Sequence, residues 1–271
     1  MAPFTLQDDL ALARVAVANA DLVSLARFRA QDLKVSTKPD RTPVTDADEA
    51  VEKVIRATLS ASRPDDDMYG EELGTDSKSS GSQPGRQWII DPIDGTAGFL
   101  RGLPIWGTLV ALAIDGVPVV GAISAPALGR RRWGAGELGA WTTTTGSRDE
   151  FPLQVSAVEQ LSDATVSYNS IAQWGADSRQ EELLQLTSSA WRTRALGDFW
   201  SYMLVAEGVL DVAGEPDLQA YDMAAIQPII EGAGGRFTSL DGASSVWERS
   251  ALATNGLLHD EVLALVRKDS A

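Results

Sequence analysis

The densest chemistry in the chain lies between Asp91 and Phe99, in the run Asp-Pro-Ile-Asp-Gly-Thr-Ala-Gly-Phe. The apolar residues Trp88, Ile89 and Ile90 predict a strand that delivers two carboxylates, Asp91 and Asp94, into a glycine-rich turn. Pro92 stiffens the spacing between them, and carboxylate oxygens are the ligands that a hard divalent cation such as Mg²⁺ prefers. Backbone amides around Gly95 and Thr96 can face an anion such as phosphate. Ordinary turns use the same residue types, so this run alone leaves a plain turn open as well.

Two further acidic segments favour the chemical reading. Gly70-Glu71-Glu72 stands upstream, and Tyr221-Asp222-Met223 opens an apolar helix that ends at Gly234-Gly235. A site for more than one Mg²⁺ needs several carboxylates from separate segments, since each ion carries two charges and fills its octahedron with oxygen. The chain offers that number.

Pro43 to Asp48, Gly70-Glu71-Glu72, Asp91 to Phe99 and Tyr221 to Gly235 resemble, in order and spacing, the four signature blocks of the inositol-monophosphatase-like family of Mg²⁺-dependent phosphomonoesterases. Within that family the chain resembles the histidinol-phosphate phosphatases of high-GC Gram-positive bacteria, through Arg101 to Gly107, Gly197-Asp198-Phe199 and Ala253 to Glu261. The resemblance implies a mixed α/β fold, a layered α-β-α-β-α sandwich of the inositol monophosphatase and fructose-1,6-bisphosphatase type. It implies two or three Mg²⁺ ions per site. Glu71, Asp91 and the carbonyl of Ile93 correspond to ligands of one ion, and Asp91, Asp94 and Asp222 to ligands of a second. A third would sit near Glu71 through water. Glu71 is preferred over Glu72, because the adjacent carboxylate usually points elsewhere.

The same resemblance makes Asp48 and Thr96 the pair that orients an attacking water, with the amides of Gly95 and Thr96 on the phosphate oxygens. Thr45 to Asp48 also fits a capping box, so Asp48 has a structural reading beside the catalytic one. Asp198 and Glu215 face the remainder of the substrate, where acidic groups suit an ammonium and an imidazole. Asn255 is open between orienting the imidazole and forming the Asn-Gly turn before the last helix. Trp106, Trp174, Trp191 and Phe199 either wall an imidazole pocket or belong to the core. The implied reaction is direct hydrolysis of a phosphate monoester. An aspartyl-phosphate route is disfavoured, since the haloacid-dehalogenase phosphatases use Asp-x-Asp and the acids here are one residue further apart. Inositol 1-phosphate and other small phosphomonoesters remain alternative substrates, and docking to transcription machinery a non-catalytic alternative. Family members usually pair as homodimers.

Composition restricts the chemistry independently. The absence of cysteine removes disulfides, thiolate metal sites and a cysteine nucleophile, and a single histidine, His259, leaves neither a His-rich zinc site nor a Ser/His/Asp triad. A formal charge of -15 disfavours nonspecific nucleic-acid or anionic-membrane binding. No apolar run approaches membrane-spanning length and the start lacks a signal-peptide pattern, so a cytoplasmic location is the expectation.

The elements that must position these residues follow from periodicity. Helices are expected over residues 5 to 31 and from Asp48 to Ala61, separated by a polar loop, Lys34 to Pro43, that suits a flap. Ser77 to Gly85 is a low-complexity loop. Ile105 to Ile123 reads as a hairpin turning at Asp115-Gly116, and Arg132 to Thr143 as two short strands, giving a first lobe (1-150) of helices on an antiparallel sheet. A second lobe (151-271), in the same domain, alternates strands at Ala164 to Tyr168, Trp191 to Leu196, Val209 to Gly214 and Arg236 to Ser239 with helices at Ala176 to Ser189, Phe199 to Glu207, Asp222 to Ala233 and after Leu258. Pro228 falls inside one of these helices.

Overall fold

A computed structural model describes residues 4–37, 43–78 and 85–268. Residues 38–42 of the expected flap and 79–84 of the low-complexity loop lie outside the described residues. In chain order the first part comprises α1 (Leu6–Arg27), β1 (Val35–Thr37), β2 (Pro43–Thr45), α2 (Asp46–Ser62), β3 (Asp67–Gly70), β4 (Gly74–Asp76), β5 (Arg86–Asp94), α3 (Thr96–Leu100), β6 (Gly107–Ile114), β7 (Val117–Ala125), β8 (Arg130–Gly134), β9 (Ala140–Thr144) and β10 (Phe151–Pro152). The second comprises β11 (Thr165–Tyr168), α4 (Ile171–Ala176), α5 (Gln180–Ser189), β12 (Arg192–Arg194), α6 (Asp198–Ala206), β13 (Val212–Pro216), α7 (Ala220–Met223), α8 (Ile226–Gly232), β14 (Arg236–Thr238), β15 (Ser250–Thr254) and α9 (His259–Val266).

Strands β10-β9-β8-β7-β6-β5-β3-β4 form an eight-stranded sheet, and β12-β11-β13-β15-β14 a five-stranded one. Both faces of the larger sheet are covered, and the two-residue period of its strands sorts side chains between two cores. Trp88 and Ile90 of β5 join Val110 and Leu112 of β6 against α1 and α2, whereas Ile89, Leu109 and Ala111 face α6 and α8. Those two helices also cover the smaller sheet through Ala213, Ala251 and Ala253, and α4, α5 and α9 close its far side with Trp174, Leu183, Leu186 and Val262. The layers are therefore α-β-α-β-α, as the resemblance implied. Helix α8 lies on bare backbone. A Cβ at Gly121 of β7 would fall 2.1 Å from the carbonyl oxygen of Ala225, and one at Gly134 of β8 2.8 Å from Cα of Ile229.

Several expectations change in detail. The larger sheet is antiparallel except where β3 runs parallel to β5. The apolar run after Asp222 is two helices, α7 and α8, and Pro228 stands in the first turn of α8, where its missing N–H is not needed. The helix expected at Ala176 to Ser189 is α5, preceded by the separate α4, and the strand expected at Val209 to Gly214 is β13, shifted to include Glu215. Strand β15 has both faces buried, so no polar alternation marks it in the sequence. Trp106 and Trp174 are core residues, while Trp191 is 64% exposed. Among the described residues no helix is long and apolar enough to cross a membrane.

Candidate active site

Three strand and helix ends meet at one edge of the larger sheet. β3 and β5 are parallel and adjacent, so their carboxyl ends share that edge, and Glu71 follows the first while Asp91 and Asp94 end the second. The strand runs on past Ile90 instead of turning there. A register irregularity between Asp91, opposite Leu109, and Asp94, opposite Gly107, lets one strand end present both acids. Gly95 then reverses the chain in a left-handed conformation (φ 85°) at the start of α3. Glu71, Asp91, Asp94, Asp222, Asp198 and Thr96 line a cleft of about 420 Å³, together with Ile93 and Gly95.

Two of the candidate acids hold helix starts at the same time. Asp48 Oδ2 accepts from the amide and the hydroxyl of Thr45, at 2.8 and 2.6 Å, as the third helical residue of α2. Its Oδ1 faces Thr96 Oγ1 at 3.3 Å, and that hydroxyl stands 2.9 Å from the carbonyl of Ile93. Asp48 thus caps α2 through one oxygen and faces Thr96 with the other. Asp222 repeats the device in α7, where its Oδ2 accepts from the Gln219 amide at 2.7 Å. Asp94 Oδ2 accepts from the Phe199 amide at 2.8 Å, which ties the end of β5 to the start of α6.

Electrostatics set the cleft apart. Burial, and then the charges of Glu71, Asp94 and Asp222, hold the Asp91 carboxyl well above the usual range. Burial and the neighbouring Asp198 and Asp222 do the same to Asp94. Asp91 Oδ1 is buried with no hydrogen-bond donor. The donor set is all oxygen, and a buried carboxylate oxygen lacking a donor beside other acids fits a hard divalent cation. Among the described residues no three carboxylates already close around one point at coordinating distance. Acids that share one cleft repel one another, which adds to the upward shift of Asp91 and Asp94.

Behind the cleft a pocket of about 160 Å³ is lined by Asp94, Asn169, Gln173, Asp198, Tyr202 and Glu215, among others. Burial pushes the Glu215 carboxyl up to about 8. Asp198 and Glu215 share this pocket with Asp94. Asn255 does not line either cavity. Its side-chain amide donates to Ser156 Oγ at 3.0 Å and the Val158 carbonyl at 2.8 Å, and its oxygen accepts from Leu258, which is the turn reading.

Gln173, Asp217, Gln219, Tyr221 and Arg249 line the cleft without having been singled out in the sequence. Only Tyr221, next to Asp222, carried a positional signal. Arg249 pairs with Asp217 at 2.6 Å, and Asp198, Asp217 and Arg249 all hold left-handed backbone (φ 50°, 60° and 53°) that non-glycine residues seldom adopt.

The chain belongs to the inositol monophosphatase family, whose sequence profile matches residues 6–271. Enzymes of this family are metal-dependent phosphomonoesterases. Among its relatives, the histidinol-phosphatase of Mycobacterium tuberculosis is 51% identical over 94% of this chain and 96% of its own, and that of Streptomyces coelicolor 49% identical over 96% and 97%. The fold matches the solved inositol monophosphatase from Zymomonas mobilis with a TM-score of 0.83, at 28% identity over 97% of this chain and 99% of that one.

Proposed function

We propose that the protein is a histidinol-phosphatase, hydrolysing L-histidinol phosphate to L-histidinol and phosphate in histidine biosynthesis, as a soluble cytoplasmic homodimer. The observation that carries this reading is the joining of the cleft, which suits a phosphate, to an acidic pocket behind it. The two half-identical relatives that bear that activity support it.

Glu71, Asp91, Asp94, Asp222 and the Ile93 carbonyl would hold two or three Mg²⁺ ions. Such ions supply charge for the phosphoryl oxygens and the leaving alkoxide, and acidify a water. The chain's own groups do the positioning. The Thr96 hydroxyl can donate its one proton to the Ile93 carbonyl or to Asp48, which Thr45 fixes; donated to Asp48, it leaves a Thr96 Oγ1 lone pair that would orient a water. Amides at Gly95 and Thr96 hold the phosphate oxygens in place. In the inner pocket, Asp198 and Glu215 would supply carboxylate acceptors for the ammonium and imidazole, whose positive charge offsets the burial that otherwise favours a neutral Glu215; each charge-assisted hydrogen bond so formed is worth about 1.5 to 3 kcal/mol.

The deciding measurement is Mg²⁺-dependent phosphate release with histidinol phosphate and inositol 1-phosphate compared by kcat/KM. Histidinol phosphate is expected to be preferred at least tenfold. A preference for inositol 1-phosphate overturns the substrate and leaves the cleft's role as a phosphatase site intact.

A further inference from the structure

Glu71 sits on a short turn between β3 and β4, and a buried acid from α2 holds that turn from beneath. Glu52 has no exposed surface. Its Oε2 accepts from the Glu72 amide at 2.8 Å, and both its oxygens stand 3.3 Å from the Leu73 amide. One helical turn on, Arg56 donates Nε to Glu52 Oε1 at 2.7 Å and Nη2 to the carbonyl of Gly74. The turn is thus gripped through its backbone by two neighbouring residues of one helix.

Gly70 makes the grip possible. A Cβ there would fall 2.0 Å from Glu52 Oε1, so the chain can settle onto the carboxylate only without a side chain at that position. On its other side the Glu71 amide donates to the carbonyl of Ile90, the residue before Asp91, at 3.1 Å. Glu71 is therefore fixed between β5 and α2. A carboxylate taken wholly out of water needs donors, and Glu52 finds three: two amides of the turn that carries a candidate ligand, and an arginine that binds the same turn.

We propose that Glu52, assisted by Arg56 and admitted by Gly70, is a positioning residue for the metal site, setting the backbone from which Glu71 reaches the cleft beside Asp91. The inference rests on the reading of Glu71 as a metal ligand. Side chains that orient a ligand typically control about ten- to a hundredfold in metal affinity.

The test titrates metal-free protein calorimetrically with Mn²⁺, and separately follows the Mg²⁺ concentration for half-maximal activity, in wild type, Glu52→Gln, Gly70→Ala, Arg56→Gln and Glu71→Gln. Unfolding midpoints without metal measure the cost to the fold. Glu52→Gln and Gly70→Ala disturb one contact from its two sides. Both are expected to weaken metal binding at least tenfold and to raise the Mg²⁺ requirement in parallel, with KM at saturating Mg²⁺ unchanged. Arg56→Gln, at a partly exposed residue, gives a smaller loss in the same direction, and it decides the matter if the other two do not fold. Metal affinity within twofold of wild type, with only the unfolding midpoint lowered, overturns the inference. Wild-type metal binding by Glu71→Gln overturns the ligand assignment itself, whatever Glu52 does.

Discussion

Acids gather at both ends of strand β5, and the chain treats the two groups in opposite ways. At the start, Arg86 bridges Asp9 and Asp66 at 2.9 and 3.0 Å, Arg63 joins Asp9 at 2.8 Å, and the Trp88 indole donates to Asp66 at 2.9 Å. Phe4 stacks on the Arg63 guanidinium at 3.4 Å. At the finish, Asp91 and Asp94 form no ion pair among the described residues, and their neighbours are other acids. Among the described residues, the guanidinium that reaches the cleft, Arg249, is engaged by Asp217. Where the chain needs cohesion it supplies its own cations. Where it keeps carboxylates face to face, the described residues bring them no cation, and the fold bears the cost of their repulsion.

The largest expected effect breaks the second half of this contrast. Asp94→Asn should lower kcat by more than about a thousandfold, roughly 4 kcal/mol of transition-state stabilisation. Because it removes one of several repelling charges, its metal-free unfolding midpoint should stay level or rise. A lowered midpoint would mean that the acids at this end are held by the protein after all.

Asp9→Asn should do the reverse, costing about 3 kcal/mol in urea unfolding by leaving Arg63 and Arg86 without their shared partner, while kcat per folded molecule stays within twofold. Full stability in this variant would remove the network from the account of the fold.

His259 offers a third kind of buried charge site, in which the protein keeps the group neutral. Its ring nitrogens each stand 3.0 Å from a threonine hydroxyl, Thr238 and Thr254, and burial, aided by the charge of Arg236, lowers its pKa to about 4. Between that value and the ordinary 6.5 the unfolded chain binds the proton and the folded chain does not, so stability falls as pH drops through the window. The whole effect is at most roughly 3 kcal/mol. The stability difference between wild type and His259→Gln, followed from pH 7 to pH 4, should slope accordingly, and a flat difference would show that the histidine protonates freely in the fold.

The smallest effect concerns a charge that needs neither device. Lys53 pairs with Glu49 at 2.9 Å on the exposed face of α2, and Lys53→Ala should change stability by no more than about 0.5 kcal/mol. A larger loss would show that surface pairs here contribute as the buried ones do.

The site was legible in the sequence where its residues are neighbours along the chain. Asp91, Asp94, Gly95 and Thr96 form one run, and the box from Thr45 to Asp48 announces a helix start that coincides with a chemical group. The layered fold followed from the resemblance together with strand periodicity. Residues brought to the cleft by loops of the second half, such as Asp217 and Arg249, left no pattern, since their placement depends on how β13 and β15 pair. The break between α7 and α8 falls at Ala224-Ala225, two good helix formers, so nothing in composition marks it. Asn255 was ambiguous because an Asn-Gly pair serves a turn and a ligand equally well, and the described geometry uses its amide for the turn.

The glycines of β7 and β8 beneath α8 have a consequence for how the molecule can vary. Main chain rests on main chain there, so the spacing between the two sheets is set by atoms that mutation cannot trim and that no rotamer can relax. Asp222 stands just before that helix and Asp91 on the sheet below it, so this rigid shim also gauges the width of the gap between opposing acids. A single methyl at Gly121 would register as a wider jaw long before it registered as a poorer core.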